Sequence, residues 1–312
     1  MIYELSHRTT YEYDHSVDLA NHVLRLTPRE FSSQAVAQAN LVTVPAVSRL
    51  TSATDHFGNG VTYLSIEEPH DRFEVETQCI IEVTARPTID VEESPPWENV
   101  REALVGDGFP AEPNVAEFAY PTLQTPPLPA VRAYAAKSFT PGRPLLAAAR
   151  DLTRRIHDDF VFDATATLVS TPLAEVMAKR RGVCQDFAQV MLAGLRCHGL
   201  AGRYISGYIQ TFGADGKPHL VGGDASHAWV SVWSPAHGWV EFDPTNDLMV
   251  SDKHVVLGWG RDYSDVSPIL GIILGGGEHR LDVSVRLVPV DLATGRPGGH
   301  PPVPADASPN GR

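Results

Sequence analysis

The sequence predicts an α+β protein: a β-rich first part, then helices, then an antiparallel sheet. Three observations carry that prediction. The first 95 residues place apolar residues at period two and hold no helix-period stretch of useful length. Helix-period patterns then run from Pro129 to Gly199. Strand patterns return beyond Gly199.

Taken in order, IYELSHRTTYEY sets Tyr3, Leu5, Thr9, Tyr11 and Tyr13 at even spacing, as on a half-buried strand. DHFGNG, Asp55 to Gly60, is a strong turn signal. VTYLSIEEP and FEVETQCIIEVTARP alternate around Pro69-His70-Asp71, as a hairpin or meander does. Together these predict a β-sandwich-like domain over residues 1–95. The Pro-Pro pairs at 95–96 and 126–127 mark residues 96–129 as a linker or surface crossing, with a short helix near Asn99 to Val105.

Ala130 to Ser138, Pro144 to Asp159 and Pro172 to Lys179 read as helices that open at or near prolines. Val183 to Gly199 is the best helix. Its Val183, Phe187, Met191 and Leu195 form one apolar stripe, and Gly199 suits a C-cap. GRYISGYI, SHAWVSVW and GWVEFDP then read as strands. LDVSVRLVPV reads as one more strand of this second domain, which spans 130–293. Residues 294–312 are mostly Gly, Pro and polar, and predict a disordered tail.

Composition narrows the function classes. A chain of 312 residues suits two domains. The net charge of −13 argues against nucleic acid and anionic membrane surfaces as partners. No apolar run approaches the roughly 18 residues of a spanning helix. The first residues lack the basic start and apolar stretch of a secretory signal, so a cytoplasmic location is expected. Three cysteines, Cys79, Cys184 and Cys197, form no disulfide framework. With no CxxC and no HExxH, no metal and no cofactor are expected.

Cys184 opens the best helix, two residues after Gly182. Unpartnered N–H groups and the helix dipole favour an anion there, so this thiol is expected to be more acidic than a free one. The same N–H groups can donate to an oxyanion. Arg180 and Arg181 add positive potential beside it. Cys197 sits at the opposite helix end and Cys79 in an apolar strand, which marks both as packing residues. In DASHAWVSVWSPAHGWVEFDPTND, a hairpin folded about Pro235 sets His227 directly opposite Asp243 on one face. Such neighbours have Cβ atoms about 4.5–5.5 Å apart. A carboxylate there would hold the imidazole tautomer while the other ring nitrogen exchanges a proton with the thiol.

The runs GVCQDFA, SHAWV, GWVEFDPTN and GRDY, in that order, closely resemble the bacterial transglutaminase-like superfamily, often described as cysteine proteases. The resemblance covers most of the chain, and its β-rich start is similar to the domain that precedes the transglutaminase core. It implies a papain-like or transglutaminase-like core of helices packed on an antiparallel sheet. It also places the family's nucleophile on Cys184, its histidine on His227 and its aspartate on Asp243. Animal transglutaminases use a tryptophan well upstream of the cysteine, yet no Trp lies between Trp97 and Cys184. No calcium-loop spacing is present either. Both departures count against calcium-dependent cross-linking.

Gln185 and Asp186 in the first helical turn, Trp229 and Tyr208 are further cleft candidates. Asp186 alternatively complements the dipole, and both aromatics alternatively pack in the core. The expected reaction is acyl transfer from a peptide or protein amide through a thioester, with water or an amine as acceptor. Hydrolysis is preferred, protein-glutamine amine transfer is the alternative, and a non-catalytic binding module is the rival of another class.

Overall fold

A computed structural model of the chain describes residues 1–105, 115–210, 226–291 and 296–297. Five strands come first: β1 (Ile2–Leu24), β2 (Gln34–Val44), β3 (Arg49–Thr54), β4 (Gly60–Ile66) and β5 (His70–Val83). The middle of the chain holds α1 (Trp97–Val105), α2 (Pro129–Ala135), α3 (Leu145–Asp159), β6 (Val161–Phe162), α4 (Leu173–Lys179), β7 (Arg181–Gly182) and α5 (Cys184–Arg196). Then follow β8 (Gly202–Ile209), β9 (His227–Ser234), β10 (Gly238–Asp243), β11 (Leu248–Met249), β12 (His254–Gly260) and α6 (Tyr263–Val266). β13 (Ile269–Gly275), β14 (His279–Asp291) and β15 (Arg296–Pro297) complete the order.

The first sheet is organised by β1. Its first half, with Tyr3, Leu5, His7 and Thr9 turned inward, pairs with β5 on one side and β14 on the other. Its second half pairs with β4 and β13. Register shifts between Glu12 and Val17, and between Val17 and Leu19, mark where the strand changes partners. The sandwich-like domain is thus one hydrogen-bonded sheet of eight strands, continuous through β1.

Two boundary expectations are corrected here. The strand LDVSVRLVPV does not join the second domain. It lies in β14 and pairs with β1 from Tyr3 to Tyr13, because β1 offers a second, otherwise open edge. Residues 96–129 are not a surface crossing throughout. Trp97, Val100, Val115 and Phe118 are buried in the core formed by α3 and α5. On α1, Trp97, Val100 and Leu104 turn one apolar face inward, and each such burial contributes about 1.5–3 kcal/mol. Most of the predicted tail from residue 294 lies outside the described residues.

The second sheet is antiparallel, in the order β11-β10-β9-β8-β12. One face carries Ala228, Val230, Val232 and Phe242, which pack with Phe187, Met191 and Leu195 of α5. The other side meets the first sheet, where Tyr208, Val255 and Leu257 pack with Tyr3, Leu5 and Ile81. α5 is therefore enclosed on nearly all sides, which explains its apolar character beyond a single stripe. Gly199 takes φ +72 just past its end, as its C-cap position requires. The buried Arg196 ties that end to the carbonyls of Phe118 and Gly202.

Candidate active site

The approach to Cys184 is fixed by short-range hydrogen bonding. Arg181–Gly182 pairs in parallel with Val161–Phe162, and Val183 is extended before the helix begins. Asp186 reaches back so that its Oδ2 accepts from the Val183 N–H at 2.8 Å and from the Thr167 hydroxyl at 2.6 Å. A side chain at Gly182 would put its Cβ 2.3 Å from that same oxygen. Only glycine leaves room for the cap. Burial raises the Asp186 pKa, and its two donors partly offset that. Asp186 thus caps the helix that Cys184 opens.

Cys184 is the first residue of α5, and the helical ladder starts after it, with the N–H groups of Asp186 and Phe187 on the Val183 carbonyl. The Cys184 and Gln185 N–H groups sit at the open end of the helix. The side chain is 8% exposed, against 1% for Phe187. Cys79 lies in β5, and Cys197 follows the far end of α5. Burial pushes Cys79 up to about 11 and also raises Cys197, with Arg132 opposing the latter. Both stay protonated near neutral pH.

The hairpin that carries His227 and Asp243 has a register different from the expected one. Gly238 pairs with Ser234 and Phe242 with Val230, so the turn centres on Ala236 and not on Pro235. Gly238, at φ +67, closes a three-residue loop. The shift moves His227 and Asp243 from directly opposite to diagonal positions. Because the displacement is an even number of residues, both side chains keep the same face. The pair still meets: His227 Nε2 lies 2.9 Å from Asp243 Oδ2, and both side chains are fully buried.

Asp243 is saturated with donors. Its Oδ1 accepts from the Thr245 and Asn246 N–H groups at 2.9 and 3.2 Å. Its Oδ2 also accepts from the Asn246 amide at 2.8 Å and from His254 Nε2 at 3.1 Å. Burial works against its charge, but His227 and His254 outweigh that and hold the carboxyl well below its usual range. Burial likewise opposes a charged His227 ring. Asp243 and the Cys184 sulfur overcome it and push the His227 pKa up to about 10. The Nδ1 of His227 is buried and has no hydrogen-bond partner of full geometry. It is the ring nitrogen that Asp243 does not engage.

His254 was not legible as a site residue. In the sequence it is one histidine at the start of an apolar strand, with no motif around it. The fold nevertheless brings His227, Asp243 and His254 together, with one ligand-type atom from each within 4.8 Å of the others. These residue types could hold a divalent ion, a grouping that sequence spacing did not reveal. In this arrangement both imidazoles already direct Nε2 at one carboxylate oxygen, so the set is a hydrogen-bonded cluster.

The remaining candidates separate. Trp229 is buried beneath the site, its ring 6.0 Å from that of His227 and its Nε1 donating to Glu241 at 2.7 Å. Gln185 is beside Cys184 in sequence, but its amide donates to the Val169 carbonyl at 3.3 Å. Tyr208 does not join the cluster. It lies between the two sheets and shares a 2.7 Å hydrogen bond with His7, because that end of β8 rests on β1. The two arginines are directed elsewhere: Arg180 stacks on Tyr134 and Phe160, and Arg181 pairs with Asp163.

A buried imidazole–carboxylate pair on an antiparallel sheet, packed against a helix that opens on a cysteine, defines a papain-like or transglutaminase-like architecture. Residues 3–82 match the bacterial transglutaminase-like N-terminal region, and residues 132–244 match the transglutaminase-like superfamily core. The uncharacterized protein Rv2569c of Mycobacterium tuberculosis is 39% identical over 297 residues, covering 93% of each chain. A Cytophaga hutchinsonii protein named "Putative Cysteine Protease" shares the fold, with a TM-score of 0.70 at 16% identity over 94% of this chain and 92% of that one. A Pseudomonas aeruginosa protein-glutamine gamma-glutamyltransferase is 34% identical over 89 residues, 28% of this chain and 11% of that one. The chain belongs to the transglutaminase-like superfamily and carries the bacterial N-terminal region of that family. Among the described residues, no helix is long and apolar enough to cross a membrane.

Proposed function

We propose that the chain is a thiol-dependent acyl-transfer enzyme acting on peptide or protein amides, with hydrolysis as its main outcome. The observation that carries this is the buried His227–Asp243 pair, whose second ring nitrogen has no partner of full geometry and whose charged form is favoured by the Cys184 sulfur.

In this reading the Cys184 thiolate attacks the amide carbonyl carbon, and the oxyanion is met by N–H groups at the start of α5. His227 gives its Nδ1 proton to the departing nitrogen as the carbon–nitrogen bond breaks, leaving a thioester. Water then loses a proton to His227 and attacks the thioester carbon. The carbon–sulfur bond breaks and restores thiolate and imidazolium. Asp243 keeps the ring in one tautomer throughout and does not itself take up the proton.

Amine in place of water would make the same residues a protein-glutamine amine transferase. The segment similar to the Pseudomonas gamma-glutamyltransferase favours keeping that second reading. A cytoplasmic location belongs to the same proposal, because three unpaired cysteines suit a reducing compartment.

Alkylation by iodoacetamide at pH 7 tests the reading. Cys184 is expected to react about 100-fold faster than Cys197, and His227→Ala to remove most of that advantage. Equal rates at the two cysteines would favour a binding module instead. A glutamine peptide with a labelled amine separates the two reactions. Label entering faster than ammonia or peptide fragments are released by hydrolysis would overturn the preference for water.

A further inference from the structure

We propose that His254 is a positioning residue of this site: it holds the Asp243 carboxylate by donating its Nε2–H to the oxygen that also receives His227. The inference rests on the acyl-transfer reading of Cys184, His227 and Asp243. Its geometry follows from the sheet. His227 opens β9, Asp243 closes β10 and His254 opens β12, with β8 and β9 between the last two in the sheet order. Antiparallel pairing puts all three at one end of the sheet. The chain from Pro244 to Lys253 then returns His254 to within 3.1 Å of Asp243 Oδ2.

A carboxylate only accepts, so both imidazoles must carry their proton on Nε2. Oδ2 then receives three donors and Oδ1 two. A carboxylate offers about four lone-pair sites, so this one has no freedom to turn. His254 is 1% exposed, and its ring stands edge-on to Trp229 at 5.1 Å, which locks its own orientation. Its Nδ1 is buried without a partner. A buried imidazole with one unsatisfied nitrogen is costly unless the other makes a strong bond, and here the other meets a carboxylate. During turnover His227 alternates between imidazolium and imidazole. A second N–H on Oδ2 keeps the carboxylate pointing at Nε2 while the first changes charge.

Three variants of the full chain test this. His254→Gln sets an amide N–H near the place of Nε2. His254→Asn sets one near Nδ1, out of reach of Oδ2. His254→Met fills the space without a donor. Cys184 in the Gln variant is expected to be alkylated within about 3-fold of wild type, and in the Asn and Met variants about 10- to 100-fold more slowly. The His227 Nε2 proton resonance is expected to stay in place in the Gln variant and to move downfield in the other two, since fewer donors then share Oδ2. Wild-type alkylation in the Asn and Met variants, or a Gln variant as slow as Met, overturns the proposal. If the Met variant loses its cooperative melt, the Gln and Asn pair decides alone. If Cys184 of the wild type reacts no faster than Cys197, the acyl-transfer reading falls instead. The proton resonance still judges His254 in that case: identical positions in the Gln and Asn variants sink it.

Discussion

His7 and His227 are almost equally inaccessible, at 2% and 1% exposure, yet their environments push them in opposite directions. Burial lowers the His7 pKa to about 4, and its partners are only the Tyr208 and Thr9 hydroxyls. Burial acts on His227 with the same sign, but the Asp243 carboxylate and the Cys184 sulfur reverse it, to about 10. Taking a ring out of water costs its charged form; a neutral hydrogen bond does not repay that cost, whereas an adjacent anion does. The sheet interface and the candidate active site therefore use the same residue type for different ends. One histidine is a neutral structural bond, and the other is held ready to be an imidazolium.

The largest expected effect comes from making His227 resemble His7. Asp243→Asn keeps the shape but removes the anion. Turnover on an amide substrate should fall about 10³- to 10⁴-fold. Titration of the His227 ring by NMR should show its pKa dropping below 6.5, its ordinary value. A pKa unchanged near 10 would mean that the carboxylate is not the cause.

The pH dependence of stability sharpens the contrast. The unfolded chain protonates His7 near 6.5, while the folded one resists until about 4. Stability from this residue is therefore lost as pH falls between those values, by about 3 kcal/mol at most. His227 has the opposite sign. Its contribution is full below 6.5 and is lost as pH rises through about 10. Thermal midpoints measured across this range should fall at both ends. His7→Gln should flatten the acid limb alone, and Asp243→Asn the alkaline limb.

The smallest effect should be Tyr208→Phe. Losing the 2.7 Å hydrogen bond to His7 should cost about 1 kcal/mol in urea melts. The alkylation rate of Cys184 should not change, because Tyr208 belongs to the layer between the sheets. A slowed rate would show that the two histidine sites are coupled.

Much of the site was legible because it is local. Cys184 at a helix start, and a histidine and an aspartate flanking one turn, are spacing statements about neighbouring residues. The register between His227 and Asp243 differs by two residues from the one a turn about Pro235 gives, yet the two side chains still meet, since an even shift preserves the face. Asp186 could not be assigned from its position alone. Whether an acidic residue in a first turn lines a cleft or caps its own helix depends on the room left by Gly182. Arg180 and Arg181 are neighbours of Cys184 in sequence but turn to Tyr134, Phe160 and Asp163, as proximity in sequence does not set the direction of a long side chain.

Periodicity, turn residues and helix ends by themselves determined the α+β layout, the helix that opens on Cys184 and the hairpin that carries His227 and Asp243. These are set by interactions within a few residues of one another. Only the tertiary structure decided that the C-terminal strand returns to β1, that residues near Trp97 and Phe118 fill the core, and that His254 reaches Asp243. Each of those contacts joins segments far apart along the chain or across a sheet. Their partners are chosen by which edges and faces remain open once the local elements have formed, and no local pattern records that choice.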